Sequence, residues 1–182
     1  MTRDYFEFFE LPRNLGIDAA DLEKRFHALS RKWHPDLFAR KSAAEREESL
    51  ESSAILNDAY RTLREPVLRA LYLLKLEGFE IGEQGSKEVP PELLEEVFEL
   101  NMALEELREG DESALPQLED ARHRFEGMRE ELDSELAGKF SAWDASHDRA
   151  VLSEIRALLN RRKYITNLIG QTTPQTNVPN RV

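Results

Sequence analysis

The stretch "RKWHPDLF", residues 31–38, decides how the first half of this 182-residue chain is organised. It places His34, Pro35 and Asp36 in a row behind two basic residues and a tryptophan. Two interpretations compete. His34 and Asp36 have the side chains of a catalytic acid–base pair, whereas Pro35 alone would end a helix because proline lacks a backbone N–H. The segments on either side of this stretch separate the two.

Helical patterns flank the stretch on both sides. From Asp18, a residue type that caps helices, apolar residues recur at the spacing of one buried helix face. These residues are Leu22, Phe26, Leu29 and Trp33. Residues 42–66 carry a second apolar stripe, which stops before Pro66. Its members are Leu56, Ala59, Tyr60 and Leu63. We predict a helical hairpin around an irregular link, with short flanking helices at "DYFEFFEL" and at "VLRALYLLKLEG", the latter ending at Gly78.

Glycines and prolines mark a domain boundary at residues 78–91. Three long amphipathic patterns follow over residues 92–170, with breaks at Gly110 and Asp111 and around Trp143 and Asp144. Helices with such short connections pack most simply as an antiparallel bundle. Residues 171–182 are polar and broken by proline, which predicts a disordered tail. The predicted fold is all-α, with an N-terminal domain over residues 1–77, a linker over 78–91 and a three-helix bundle over 92–170.

The composition excludes several classes of function. The chain contains no cysteine, so disulfides and cysteine-ligated metals are excluded, and we expect no metal site and no cofactor. Its net charge of −11, concentrated after residue 77, would repel nucleic acid and anionic lipid. No apolar run approaches the roughly 20 residues of a membrane span, and the acidic start is unlike a secretion signal. We expect a cytoplasmic protein.

The helix before His34 has a second organised face. With Leu22 at zero on a helical wheel, four basic residues fall between about 180° and 300°, away from the apolar stripe. They are Lys24, Arg25, Arg31 and Lys32. A charged face is most often merely solvated. Here the basic face leads into His-Pro-Asp, the sequence offers no nucleophile or zinc motif to complete an active site, and a helix with "NDAYRTLREP" follows. This combination favours protein binding over catalysis.

Residues 4–76 resemble a J-domain, the module by which co-chaperones engage DnaK-type chaperone ATPases. His34-Pro35-Asp36 matches the diagnostic tripeptide, and "NDAYRTLREPVLRALY" is similar to the third helix and the stretch after it. The resemblance implies that the tripeptide and the basic face bind the ATPase and accelerate its ATP hydrolysis. The protein itself is then not an enzyme. Leu37 stands where the usual motif has a lysine, and the tripeptide is intact.

Nearly the whole chain resembles the HscB family, the J-type co-chaperones of iron-sulfur cluster assembly. The resemblance rests on "REPVLRALYLLKLEGFEI" and on "LLEEVFELNMALEEL" in the acidic bundle. It implies two partners: an HscA-like chaperone of the DnaK type, and an IscU-type scaffold protein held by the bundle. A J-protein with a different client is the alternative. Because the family is found in bacteria and mitochondria, the missing transit segment favours a bacterial cytoplasm over a mitochondrial matrix.

The first helix of the bundle carries two apolar lines. One has the spacing of a core seam and is expected to be buried: Leu93, Val97, Leu100, Leu104 and Leu107. The other, Leu94, Phe98 and Met102, lies about 100° to 180° from Leu93 and is bordered by Glu95 and Glu99. The pattern alone allows a docking ridge or a face covered by the J-domain or another helix. The HscB resemblance favours scaffold binding there, with Ala157 at a related position in the last helix.

The histidines outside the tripeptide are isolated. Glu119, Asp120 and His123 have a spacing that could hold a metal on one helix face, but a solvated face explains it better. Trp33 and Trp143 are predicted core anchors.

Overall fold

The computed structural model describes residues 4–79 and 89–172. The chain divides into two compact units. The N-terminal unit comprises Met1–Ile81 with Lys139–Ile155, and the C-terminal unit comprises Gly82–Gly138 with Arg156–Val182. Residues 139–155, which the sequence boundaries assign to the bundle, thus group with the N-terminal unit. Over the described residues the structure is helical without a strand, which confirms the all-α prediction.

The N-terminal unit contains the predicted hairpin and its flanking helices. Its helices are α1 (Tyr5–Phe8), α2 (Ala19–Lys32), α3 (Pro35–Phe38), α4 (Ala43–Arg64) and α5 (Pro66–Leu76). Helix α2 begins where predicted because the Asp18 carboxylate accepts hydrogen bonds from the backbone N–H groups of Ala20 and Asp21, at 2.8 and 3.0 Å. Helix α5 ends at Leu76, and Gly78 follows with a positive φ of 75° that few other residues adopt.

The hairpin core is narrower on α2 than the sequence pattern predicts. Leu22 is fully buried, whereas Phe26, Leu29 and Trp33 are half-buried. Phe26 stacks on Tyr60 of α4, with ring centroids 4.2 Å apart. The remaining burial comes from the other helices and from the loop before α2. Those buried apolar residues include Phe6, Phe9, Leu15, Leu56, Ala59, Leu63, Leu73 and Leu74.

Trp143 and Asp144 fix the loop before α2. These two residues and the loop belong to the same N-terminal unit. The Asp144 carboxylate accepts hydrogen bonds from the backbone N–H groups of Leu15 and Gly16, each at 2.6 Å. The buried Trp143 donates its indole N–H to the carbonyl of Arg13 at 3.0 Å. Trp143 is therefore a core anchor, as predicted, and it also positions this loop.

The C-terminal unit is built on three helices around one apolar cluster. The helices are α6 (Leu94–Arg108), α7 (Leu115–Ser146) and α8 (Arg149–Thr172), of which 115–138 and 156–172 belong to this unit. Short 3₁₀ turns at Pro91–Leu93 and Glu112–Ala114 precede α6 and α7. The cluster comprises Leu93, Leu100, Ala103, Ala114, Leu118, Ala121, Phe125, Leu132, Ile165 and Leu168. None of the described helices is long and apolar enough to cross a membrane.

Three helix boundaries differ from the sequence prediction. Helix α2 ends at Lys32 rather than at the proline, and Pro35 instead begins α3. The predicted break around Trp143 is wrong, because α7 continues to Ser146 and the chain turns at His147, whose φ is 50°. Helix α8 runs through Thr172, two residues into the predicted tail. Residues 80–88 of the linker and 173–182 of the tail lie outside the described residues.

Candidate functional site

The His-Pro-Asp tripeptide forms the start of a one-turn helix on the surface. Pro35 steers the preceding residue out of helical geometry, and His34 has the extended dihedrals φ −62° and ψ 125°. Pro35 occupies the first position of α3, where its missing N–H costs nothing. The His34 side chain caps this helix, since its Nδ1 accepts a hydrogen bond from the Asp36 N–H at 3.3 Å. The proline therefore starts a helix and does not merely stop one.

The imidazole and the carboxylate of the tripeptide lie side by side and face solvent. His34 Nδ1 is 3.6 Å from Asp36 Oδ2, and the two side chains are 55% and 89% exposed. Neither side chain contacts a nucleophile among the described residues, and no group of three metal-ligating side chains forms there. Both side chains are therefore accessible from solvent.

Contacts on the inner side hold this turn against α4. The carbonyl of Trp33 accepts hydrogen bonds from the hydroxyls of Ser49 and Ser53, at 2.9 and 2.8 Å. The Trp33 ring stacks on Phe38 of α3, with centroids 6.2 Å apart and planes 12° from parallel. Trp33 is only half-buried, so it anchors the turn through its backbone and one ring face rather than from a deep core.

The structure separates Arg25 from the other basic residues of α2. Lys24 and Arg31 are exposed and have no acidic partner in the described part of the chain. Lys32 lies over the Trp33 ring, with its Nζ 5.3 Å from the centroid. The Arg25 guanidinium instead pairs with Asp21 at 2.8 Å and donates to the carbonyls of Phe9 and Glu10, both at 3.0 Å. Arg25 thus ties the end of α1 to α2.

The second candidate surface is the ridge of Leu94, Phe98 and Met102 on α6. These side chains are 56%, 65% and 49% exposed. Glu95 and Glu99 beside them are exposed too. Among the described residues of the C-terminal unit, no helix covers this line.

The seam beside the ridge is partly as predicted. Leu93 and Leu100 are fully buried, as expected. Val97, Leu104 and Leu107 are half-buried and pack against the edge of the cluster. Ala103 is also buried in the cluster, a position that the seam prediction missed. Ala157 is exposed on α8.

The three residues with metal-like spacing do not converge. His123 Nε2 lies 3.4 Å from Glu119, and its Nδ1 lies 3.8 Å from Glu126. Asp120 instead borders a groove between α6 and α7. Sequence reasoning missed this groove, since only the packing of two helices brings its walls together.

Two family models match the chain, one for each part. The model for the DnaJ domain matches residues 4–72, which include the exposed tripeptide. The model for the HSCB C-terminal oligomerisation domain matches residues 89–172, which include the ridge. The iron-sulfur cluster co-chaperone protein HscB of Homo sapiens is 34% identical over 164 residues, covering 90% of this chain and 68% of that protein. The chain belongs to the HscB family.

Further HscB proteins agree with this assignment. The Mus musculus iron-sulfur cluster co-chaperone protein HscB is 33% identical over the same length. The crystal structure of human co-chaperone protein HscB superimposes with a TM-score of 0.69 at 32% identity, covering 94% of this chain and 81% of that one. The chaperone HscB from Vibrio cholerae gives a TM-score of 0.65 at 28% identity, covering 93% and 95%.

Membership of the HscB family confirms several predictions. The protein is a J-domain co-chaperone of the iron-sulfur cluster system, and its two parts are a J-domain and a helical HscB domain. A J-domain implies a DnaK-type chaperone as the partner, and the ATP chemistry belongs to that partner rather than to this non-enzymatic chain. The roles of the tripeptide, the basic residues and the ridge stay predictions.

Proposed function

We propose that this HscB-family chain binds an IscU-type iron-sulfur scaffold protein through the ridge and delivers it to an HscA-like chaperone through His34, Pro35 and Asp36. The observation that carries the proposal is the presence of both surfaces, each exposed, in one chain that matches a J-domain and an HscB domain. The chain then stimulates the ATPase of the chaperone and so aids the maturation of iron-sulfur proteins.

Charge and rigidity support the chaperone-binding role of the tripeptide. Lys24 and Arg31 face solvent on the helix that leads into it, and an exposed basic face steers the encounter with an acidic surface. Pro35 and the Trp33–Phe38 stack hold His34 and Asp36 in one geometry. Little conformational entropy is then lost on binding. Arg25, engaged with the end of α1, contributes by positioning α2.

Exposure of apolar side chains supports the client-binding role of the ridge. Leu94, Phe98 and Met102 lie one helical turn apart and are each about half exposed or more. Contiguous exposed apolar residues rimmed by acids are typical of protein-binding surfaces, and a few such residues carry most of the binding energy. Glu95 and Glu99 supply the polar rim.

Carrying both surfaces on one chain has a thermodynamic consequence. A client held on the ridge is at high effective concentration near a chaperone bound to the tripeptide. Client capture and ATP hydrolysis are thereby coupled, since both binding events occur on the same molecule.

A single-turnover ATPase assay tests the proposal. The protein is added to an HscA-like chaperone with and without an IscU-type scaffold. We expect stimulation by the protein alone and synergistic stimulation when the scaffold is also present. Stimulation without synergy would favour the alternative, a J-protein with a different client. No stimulation at all would contradict the chaperone assignment.

A variant of the tripeptide tests the chaperone surface in the same assay. His34→Gln is expected to lower the ATPase rate to that of the chaperone alone, because the imidazole is lost from the rigid turn. Scaffold binding, measured by calorimetry, is expected to stay unchanged. Normal stimulation by His34→Gln would refute the role of the tripeptide.

A triple variant tests the client surface. Alanine at Leu94, Phe98 and Met102 is expected to weaken scaffold binding at least tenfold, since truncating a buried anchor typically costs about 1–2 kcal/mol or more. The control is alanine at Leu50 and Leu68, exposed apolar residues of the N-terminal unit. Equal affinities for the triple variant and the control would place the client site elsewhere.

A further inference from the structure

A groove between α6 and α7 borders the ridge. Its volume is about 360 Å³, and Phe98 and Met102 of the ridge form part of its wall. The buried Ala103 and Ala121 lie at its floor, one from each helix. The groove is therefore continuous with the surface proposed above for the client, and it extends that surface onto a second helix.

The groove carries an excess of negative charge. Three carboxylates line it, those of Glu99, Glu106 and Asp120, against the single guanidinium of Arg124. Arg124 is already engaged, since its Nη2 lies 2.8 Å from Glu99 Oε2. The side chains of Glu106 and Asp120 have no hydrogen bond or ion pair within residues 4–79 and 89–172. Two carboxylates thus line the groove without a cation paired to them in the described residues.

An apolar floor with carboxylates at its rim fits one kind of side chain. Lysine and arginine lay their hydrocarbon stems along apolar surface and keep the charged head at its edge. A carboxylate accepts a charge-assisted hydrogen bond from that head, which is stronger than a bond between neutral groups. A purely apolar residue would leave Glu106 and Asp120 facing low-polarity surface, at a cost in free energy.

We propose that the groove receives a lysine or arginine side chain of the client, from the segment that lies on the ridge, and that Asp120 is the residue of α7 that selects it. The inference rests on the function proposed above. The proposed client surface then includes a residue of α7 as well as those of α6. Contacts with both helices would fix the direction of the bound client segment as well as its position. Asp120 then belongs to the binding surface, whereas its neighbour Glu119 pairs with His123 outside the groove.

Two charge-reversal variants at adjacent positions test the inference. Asp120→Lys places a cation in the groove, and Glu119→Lys makes the same change of charge one residue away, outside the groove lining. Scaffold affinity is measured by calorimetry at low and high salt. We expect Asp120→Lys to weaken binding about tenfold at low salt and less at high salt, and Glu119→Lys to change it less than about twofold. Equal effects of the two variants would overturn the inference.

The outcome for the ridge separates this inference from the proposed function. If the triple alanine variant of the ridge loses affinity while Asp120→Lys matches Glu119→Lys, the groove is not used but the client site stands. If none of these variants binds more weakly, the client surface itself is wrongly placed, and the inference falls with it. Sedimentation of each variant detects a third result. A change of self-association by Asp120→Lys with unchanged client affinity would assign the groove to a second copy of this chain and overturn the inference.

Discussion

Side chains far away in sequence hold the segment before α2 in place, whereas side chains nearer in sequence hold the segment after it. The loop before α2, residues 11–17, is fixed by side chains far away in sequence, namely Arg69, Trp143 and Asp144. The turn after α2, residues 33–42, is fixed by contacts nearer in sequence: the His34 cap, the Trp33–Phe38 stack, and α4, whose Ser49 and Ser53 hydroxyls donate to the Trp33 carbonyl. The tripeptide lies in the second segment, so its geometry depends less on residues far away in sequence. Substitutions in the loop should therefore cost much more stability than substitutions in the turn.

The largest loss of stability is expected at Arg69. This side chain is buried, and its guanidinium donates hydrogen bonds to the carbonyls of Leu63, Leu15 and Arg64. Burial lowers the pKa of Arg69, opposed by the nearby carboxylates of Asp144 and Glu65, and the group stays charged at neutral pH. Arg69→Met leaves buried carbonyls without donors, and we expect it to lower the free energy of unfolding by about 3 kcal/mol.

Tryptophan fluorescence in a urea titration measures this loss. The two tryptophans, Trp33 and Trp143, both belong to the N-terminal unit and report on it. Arg69→Lys serves as the control, because it keeps the charge but cannot make three hydrogen bonds from one planar group. Its free energy of unfolding should lie between those of Arg69→Met and the unsubstituted protein. Unchanged stability of Arg69→Met would show that the loop does not depend on this guanidinium.

The next largest loss is expected at Gly16. A Cβ on this residue would lie 2.8 Å from Asp144 Oδ2, so Gly16→Ala displaces the carboxylate from the N–H groups of Leu15 and Gly16. We expect a loss of about 2 kcal/mol, the range for hydrogen bonds to a charged group. The same substitution at Gly127, in the middle of α7 with open space around it, should stabilise the chain by about 0.5–1 kcal/mol.

A double-mutant cycle assigns the Gly16 effect to Asp144. In an Asp144→Ala background the carboxylate is gone, and Gly16→Ala is expected to cost little more. If Gly16→Ala were equally costly with and without Asp144, the loop would be constrained by something other than this contact.

Inside the turn after α2, the largest expected loss is at Ser42. Its hydroxyl accepts a hydrogen bond from the Glu45 N–H, and the Glu45 carboxylate accepts from the Ser42 N–H at 2.9 Å, which completes a capping box for α4. Ser42→Ala removes one side of the box and should cost about 1 kcal/mol. Ser42→Thr retains a hydroxyl that can accept from the Glu45 N–H and donate to its carboxylate, and should be nearly neutral. Thermal denaturation of the two Ser42 variants is compared. A loss of stability in the alanine variant alone shows that the cap is responsible rather than the surface substitution itself.

The same cap gives stability a pH dependence. Hydrogen bonds from the Ser42 side chain and backbone lower the pKa of Glu45 below its ordinary value of 4.5. Because the folded pKa is depressed, this stabilisation is fully present above about pH 4.5 and is lost as the pH falls through the folded pKa. Denaturation of the protein and of Glu45→Gln should differ at pH 6 and converge in acid. A difference that persists in acid would mean that Glu45 acts without its charge.

The same contrast explains what the sequence could predict. Features set by neighbouring residues were readable: the Asp18 cap, the α4 stripe, Gly78 and the existence of a second apolar line on α6, whose exposure the pattern left open. The end of α2 was misplaced by the emphasis on Pro35, although proline at a first helical position is common. Contacts between distant residues, such as Asp144 with Gly16 or Asp120 with the groove, leave no local pattern. They depend on how helices pack, and a single sequence does not contain that information in readable form.

The smallest effect on stability is expected at His34, where we expect the greatest effect on function. More than half of the imidazole is exposed, and its one hydrogen bond to the Asp36 N–H is long, at 3.3 Å. His34→Gln should therefore change the free energy of unfolding by less than about 0.5 kcal/mol, as is usual for surface substitutions. Fluorescence in urea, with Arg69→Met alongside, gives the comparison directly. A loss at His34 as large as that at Arg69 would mean that the tripeptide is part of the core, and lost ATPase stimulation could then be explained by unfolding alone. A small loss of stability together with lost ATPase stimulation would instead show that His34 acts in binding the chaperone, because the fold would then be intact while the stimulation is gone.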